Sequence, residues 1–370
     1  MTKILELGKV SNIKRGKSIT KKSIFPGNVP VIAGGREPAY FHSEANRDGP
    51  IITVSGSGAY AGFVNFYNQP IFVSDSFTIK SLNENEVLTK FLFFSLKAKQ
   101  NLIYSLQSGA GQPHVYPKDL ITFTIPDYCI QEQQKIVSTL EEIDDLRQKQ
   151  RKAIELTRQM IPSLFYEMFG DIESNEKGFD RIKAKEVTTI NPKNQVSLED
   201  SDEITFVQMS AINAENASIR TPEIKLMAET RRKGFSYFKE GDVLFAKITP
   251  CMQNKKSAIA KHLINGIGYG STEFHVLRPT ACILGEYLLQ ILRSPKFIEI
   301  AKNHFTGTAG QQRVPKDFIA NFTISLPPIE LQKRFAIKAQ ECLSLLEHQE
   351  QALQKLDALF ESTLNRFFST

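Results

Sequence analysis

The chain has 370 residues, with 46 Lys and Arg against 40 Asp and Glu, giving a formal charge of +6 with histidines neutral. A hydrophobic fraction of 41% that includes 26 Phe is enough for packed cores, which excludes a chain disordered throughout, and the length predicts two or three domains. Residues 1–10 carry no apolar leader segment and the longest apolar run, around 91–96, is far shorter than the ~20 residues of a membrane span, so a soluble, cytoplasmic protein is expected.

From the N-terminus, β-branched and aromatic runs bounded by Gly, Asn, Asp and Pro predict strands at Pro50-Ile51-Ile52-Thr53-Val54, Ile71-Phe72-Val73 and Phe77-Thr78-Ile79. An amphipathic stretch at 87–106 predicts a helix packed on their sheet. The period then changes. From Ile136, positions alternately four and three residues apart are Leu140, Ile143, Arg147, Gln150, Ile154, Thr157, Ile161, Leu164 and Met168, the seam of a long helix that Pro162 is expected to kink or end near Ile161. Strand signals return at Ile204-Thr205-Phe206-Val207 and Asp242-Val243-Leu244-Phe245, followed by an amphipathic stretch at 283–305. A second seam closes the chain: Phe335, Ala339, Cys342, Leu346, Gln349, Leu353, Leu356, Phe360, Thr363 and Phe367.

The order recurs because the sequence does. Ala110-Gly111-Gln112 returns 199 residues later as Ala309-Gly310-Gln311, Pro117-Lys118-Asp119 returns 198 later as Pro315-Lys316-Asp317, and Phe123-Thr124-Ile125 and Gln133 return at 199 as Phe322-Thr323-Ile324 and Gln332. The two seams share that offset, and Gln150 and Gln349 both fall mid-seam, where a polar residue can fix register. Charge follows the same division. Residues 1–127 carry 14 basic and 9 acidic side chains and residues 171–327 carry 21 and 18, whereas the two helical segments, 128–170 and 328–370, are nearly neutral.

These patterns predict a mixed α+β chain: two tandem α/β units, 1–127 and 171–327, each followed by a long helix, 128–170 and 328–370, in a pseudo-two-fold repeat. Like helices with matching stripes, separated by a whole globular unit, are expected to pair as an intramolecular antiparallel coiled coil. Its seam would use Leu140, Ile143, Gln150, Ile154 and Ile161 against Leu346, Gln349, Leu353 and Phe360. Taken singly, either stripe also fits a helix buried on its own globular unit.

No catalytic constellation emerges. Gly56, Gly58 and Gly62 follow a strand-like run but lead into Phe63-Val64-Asn65-Phe66-Tyr67, which reads as a second strand and makes a hairpin, not a nucleotide cradle. A phosphate loop is absent, Asn191-Pro192-Lys193 lacks the second proline and aromatic of an amino-methyltransferase motif, and the six histidines lack ligand spacing. The cysteines, Cys129, Cys251, Cys282 and Cys342, lie far apart and read as free thiols. Neither metal nor cofactor is expected in this chain.

Binding chemistry is better represented. Lys14, Arg15 and Lys17 cluster near the N-terminus, and Arg36, Arg47, Ser55, Ser57 and Tyr60 sit in or beside Gly-rich loops. The second unit offers Arg231, Arg232, Lys247, Thr249, Lys255 and Lys256. The repeated loops 108–114 and 306–313 carry Gln112 and Gln311 at one place, then His114 or Arg313. Arg or Lys to guanine and Asn or Gln to adenine are the pairings that read DNA sequence, while the remaining cations supply salt-sensitive affinity for phosphates. Each of these residues also fits a solvated surface position, and each loop a tight turn into the last strand.

The architecture resembles the specificity subunit of a type I restriction-modification system over essentially the whole chain. Its most specific mark is Ser325-Leu326-Pro327-Pro328-Ile329-Glu330-Leu331-Gln332-Lys333-Arg334, similar to that family's entry into a spacer helix; Ile125-Pro126 through Gln133-Gln134-Lys135-Ile136 is the first copy, with Asp127-Tyr128-Cys129 replacing the second proline and its neighbours. The resemblance implies two target-recognition domains, each reading half of a split asymmetric site in double-stranded DNA. It further implies helices that set the spacer and dock two modification subunits bearing S-adenosylmethionine, with restriction subunits that use ATP and Mg²⁺. The chain itself would be a non-catalytic recognition subunit. Two alternatives stay open from the residues: a specificity component of a related modification or restriction system, and a coiled-coil adaptor without sequence-specific DNA binding.

Overall fold

The strand signals at 51–54 and 77–79 resolve into neighbours in one sheet. In this computed structural model, which describes all residues except 1–2, 110, 195, 197, 231–233, 309 and 370, Ile51–Ser55 pairs antiparallel with both Ser76–Ser81 and Val64–Tyr67, and Ser11–Arg15 forms the other edge. The Gly56 to Gly62 segment is thus the turn of a hairpin, as its sequence predicts. A smaller sheet sets Val29–Ile32 between Tyr40–His42, antiparallel, and Phe72–Val73, parallel. The amphipathic stretch forms two consecutive helices, Thr89–Ala98 and Gln100–Ser105, broken at Lys99.

The second copy repeats this plan. Thr188–Ile190, Phe274–Pro279, Val243–Ala246 and Ser257–Ile259 make an antiparallel sheet of the same order. Beside it lies a second sheet, built around the parallel pair Glu203–Val207 and Ile267–Gly270, with antiparallel strands Glu223–Leu226 and Ser236–Lys239 at its edges. Helices Gly285–Arg293 and Pro295–Lys302 follow, with the Ser294 hydroxyl accepting from the Phe297 N–H at 3.1 Å to cap the second. In each copy the N-terminal strand pairs with the strand that precedes the long helix: Ile4–Glu6 with Thr124–Pro126, and Asp180–Lys183 with Thr323–Leu326.

The long helices run Ile130–Phe169 and Ile329–Phe368, each of 40 residues, and divide between two units: residues 1–151 with 351–370, and residues 152–350. In the first unit, Ile52, Val54, Phe77 and Phe91 share a core with Leu140 and Ile143 of the first long helix and Phe360, Leu364 and Phe368 of the second. In the second unit, Val243, Phe245, Leu277 and Tyr287 pack with Ile161, Phe165 and Phe169 and with Phe335, Ala339 and Cys342. The start of one helix lies beside the end of the other in both units, so the pairing is antiparallel. Burying each large apolar side chain stabilises by about 1.5–3 kcal/mol. This apolar contact is what holds helix to sheet.

Pro162 does not end the first helix. The first helix continues through it to Phe169. Proline removes one backbone donor, at a cost of about 3 kcal/mol, but Ile161, Phe165 and Phe169 on the same face are buried in the second unit's core, and their packing outweighs the lost bond. Along the seam, Leu140, Ile143, Ile154, Ile161, Leu346 and Phe360 are buried, and Gln150, Gln349 and Leu353 are half-buried.

One buried glutamine fastens each helix to its unit. Gln133 accepts from the Leu88 N–H at 3.0 Å and donates to the Glu86 and Tyr128 carbonyls at 2.9 Å. Gln332 accepts from the Leu284 N–H at 2.8 Å and donates to the carbonyls of Cys282 and Pro327 at 3.1 and 2.9 Å. Only a primary amide supplies one acceptor and two donors in this arrangement.

Candidate nucleic-acid interface

Both repeated loops close on themselves and then clamp the end of a central strand. Ser108 and His114 exchange backbone hydrogen bonds at 3.0 and 2.8 Å, as do Thr306 and Arg313 at the same two distances. Gly109 and Gly307 hold left-handed backbone, φ +112° and +106°, where a side chain is strained; a Cβ on Gly109 would also come within 2.6 Å of the Gln112 carbonyl oxygen. The strand-end clamp is likewise duplicated. Gly58 N–H donates to the Pro113 carbonyl at 2.9 Å and Val115 N–H to Gly56 at 3.1 Å; in the second unit Thr249 N–H donates to Gln312 at 2.9 Å and Val314 N–H to Lys247 at 2.9 Å.

The register makes Ser57 equivalent to Ile248, His114 to Arg313, and Asp75 to Glu273, since the Gly56 and Lys247 N–H groups donate to the Asp75 and Glu273 carbonyls at 3.1 and 2.9 Å. Sequence reasoning passed over the two acids. They lie 198 residues apart, the repeat's own offset, but strand pairing alone carries them to the loops. In the first unit the Ser57 hydroxyl donates to the Asp75 carboxylate and accepts from Gln112 Nε2 at 3.3 Å. In the second, Arg313 takes Glu273 with two parallel bonds, Nε to Oε2 at 2.9 Å and Nη2 to Oε1 at 2.8 Å, the fork geometry of strong charge-assisted pairs. That pair holds the Glu273 carboxyl below its usual pKa, and the Arg313 guanidinium above its own.

Nearby, His275 is buried, with Nε2 2.8 Å from the Val314 carbonyl and Nδ1 3.2 Å from Asn191 Nδ2. Desolvation pushes its pKa down to about 4. The ring is therefore neutral at pH 7, and it ties the strand to the end of the repeated loop.

The other sequence candidates divide by what their side chains do. Lys14 and Arg15 are exposed on the edge strand Ser11–Arg15, and Lys17 is exposed just beyond it. Arg36 is exposed and lies over the Tyr60 ring at 4.7 Å, and Tyr60 is itself exposed. Arg47 instead points inward, donating to the Asn46 and Arg15 carbonyls, both at 2.7 Å, and to Thr78 Oγ1 at 3.3 Å. Ser55 is buried, bonded to the Gly35 carbonyl at 3.3 Å. His114 stacks on Tyr116, with ring centroids 5.8 Å apart. In the second unit Lys255 is exposed, Lys247 is half-buried, Lys256 Nζ donates to the Met209 carbonyl at 2.9 Å, and Thr249 Oγ1 accepts from Gln312 N–H at 3.1 Å. Gln112 and Gln311 are both exposed. Arg231 and Arg232 lie outside the described residues. Among the described residues no helix is long and apolar enough to cross a membrane.

Comparison with known proteins gives this duplicated architecture its family. The model of the type I restriction modification DNA specificity domain matches residues 2–156 and again 176–359. The type I restriction enzyme EcoAI specificity subunit of Escherichia coli is 40% identical over 196 residues, 51% of this chain and 33% of that protein. The MjaVIII specificity subunit of Methanocaldococcus jannaschii is 22% identical over 309 residues, 79% of this chain and 72% of that one. The match to the E. coli subunits EcoAI and EcoEI thus spans about a third of their length. Among solved structures, the S subunit of a type I restriction-modification system from M. genitalium shares the fold at a TM-score of 0.64 and 18% identity, covering 100% of this chain and 96% of that one. With a family model matched over both repeats, the chain belongs to the type I restriction modification DNA specificity family.

Proposed function

We propose that this chain is the DNA specificity subunit of a type I restriction-modification complex, each unit reading one half of a bipartite, asymmetric site. The observation that carries this reading is the duplicated loop clamp, which presents Gln112 beside His114 in one unit and Gln311 beside Arg313 in the other, each at the end of a rigid sheet. Exposed cations at Lys14, Arg15, Lys17, Arg36 and Lys255 supply phosphate contacts. The chain recognises and does not catalyse; S-adenosylmethionine belongs to two modification subunits, and ATP and Mg²⁺ to restriction subunits.

The helices dock the modification subunits in this reading. Leu146 and Leu359 are about half exposed, and each immediately precedes a seam residue, Arg147 or Phe360. Arg147 reaches Asp357 at 2.6 Å and lies 4.2 Å over the Phe360 ring, so the two leucines stand level across the helix pair. The second unit repeats this with Met160 before Ile161 and Leu345 before Leu346, where Arg158 meets Glu350 at 2.9 Å. Two equivalent apolar patches, each continuous with a buried seam, fit two copies of one partner. The test is to assemble the chain with modification subunits, weigh the complex and map the methylated positions. One split site methylated by a complex with two modification subunits is the expected result; salt-insensitive DNA affinity with no mapped site would refute the reading.

A further inference from the structure

Gln112 is exposed at the tip of the first repeated loop, yet its amide is anchored from behind. The buried Ser57 hydroxyl donates its single hydrogen to an Asp75 side-chain oxygen, so towards the glutamine it can only accept. The glutamine nitrogen therefore faces Ser57. Turning the amide over would set Oε1 against a hydroxyl oxygen with no hydrogen left to give. What remains for a ligand is Oε1, an acceptor, next to the second Nε2 hydrogen, a donor. That pairing complements the N6 amino group and N7 of adenine in the major groove, and it mismatches guanine, whose O6 and N7 both accept.

The second unit lacks this device. Ile248 stands where Ser57 does, and Arg313 occupies the Glu273 carboxylate, so the relay has no counterpart behind Gln311. We propose that Gln112 reads an adenine in the half-site of the first unit, with the polarity of its amide set by Ser57 and Asp75. The inference rests on the DNA-recognition reading above and adds a base, a residue and the groups that position it.

The full chain, assembled with its modification subunits, would be challenged with a duplex library randomised over both half-sites, and the bound duplexes sequenced. Wild type should select two half-sites, one containing an invariant adenine. Gln112→Ala should lower the preference for that base pair by roughly 5- to 150-fold and leave every other position unchanged. Gln112→Glu should move the preference toward cytosine, whose N4 amino group donates. Ser57→Ala should weaken the adenine preference without abolishing binding, and Gln311→Ala should leave this half-site intact. Retained binding of random-sequence DNA by each variant shows that it is folded. Wild-type selection with no position altered in Gln112→Ala overturns this inference alone. A wild type that selects no sequence overturns the DNA-recognition reading and this inference with it.

Discussion

Arg313 grips Glu273 through one edge of its guanidinium, Nε at 2.9 Å and Nη2 at 2.8 Å, while Nη1 turns back to the Gln311 carbonyl at 3.0 Å. The pair fixes the arginine at the base of a loop that would otherwise leave a long side chain free to sample many rotamers. Glu273→Gln keeps the shape and removes the charge. Discrimination at the second unit's half-site should relax while the first unit's stays sharp, which sequencing of selected duplexes would show. An unaltered second half-site would remove Arg313 from the reading surface. Because the Glu273 pKa is lowered in the folded state, the pair's contribution is present above the ordinary glutamate range and is lost as pH falls through the folded value.

Acid should act on His275 at a higher pH. The native state keeps the ring neutral down to about 4, whereas an unfolded chain protonates it near 6.5. Below 6.5 the unfolded state therefore binds the extra proton, and stability falls as pH drops through that window, by about 3 kcal/mol in full. Urea unfolding at a series of pH values should show this loss in wild type and less of it in His275→Phe, which installs the residue that the first unit carries at the equivalent Phe77. Equal losses in both proteins would place the acid sensitivity elsewhere.

Replacing Gln332 by Ala strands one N–H and two carbonyls at the root of the second helix. At roughly 1 kcal/mol for each bond, the expected destabilisation is about 3 kcal/mol. Gln332→Glu should be no better, since a carboxylate cannot donate to the Cys282 and Pro327 carbonyls. Denaturant midpoints of the two variants test this, and Gln133→Ala should match them in the first unit.

A heptad inserted into both long helices, after residues 151 and 350, should lengthen the recognised gap by about three base pairs, from ~10 Å of helix against 3.4 Å per base pair. Both half-sites should stay unchanged in the methylation map. A changed half-site would show that the helices do more than set distance.

Leu146→Glu combined with Leu359→Glu should leave a complex carrying a single modification subunit, measured by its mass, because the equivalent pair of Met160 and Leu345 is untouched. Loss of both subunits, or of neither, would contradict two independent docking patches.

Much of this architecture was legible in the sequence because duplication prints each constraint twice. The loops at 108–114 and 306–313, the glutamines at 133 and 332 and the two seams all survive at nearly one offset, since each satisfies a local geometric demand: positive φ at glycine, three bonds from one amide, an apolar stripe. Asp75 and Glu273 escaped notice because their importance comes from the strand beside them, through register that no local pattern encodes. The expectation that Pro162 could end the helix fails for the complementary reason. A local rule against proline in a helix was outweighed by three aromatic and aliphatic side chains buried on the same face.

The division of the molecule also bears on its birth. The first compact unit is not a continuous stretch of chain, for it includes residues 351–370, and Phe360, Leu364 and Phe368 fill its core. Those residues follow the whole of the second unit in chain order and so are synthesised after it. The first unit must therefore wait, with part of its apolar interior open, until residues 351–370 have emerged, whereas residues 152–350 already make up the second unit. Order of emergence and order of completion are reversed in this protein: the half made first is finished last.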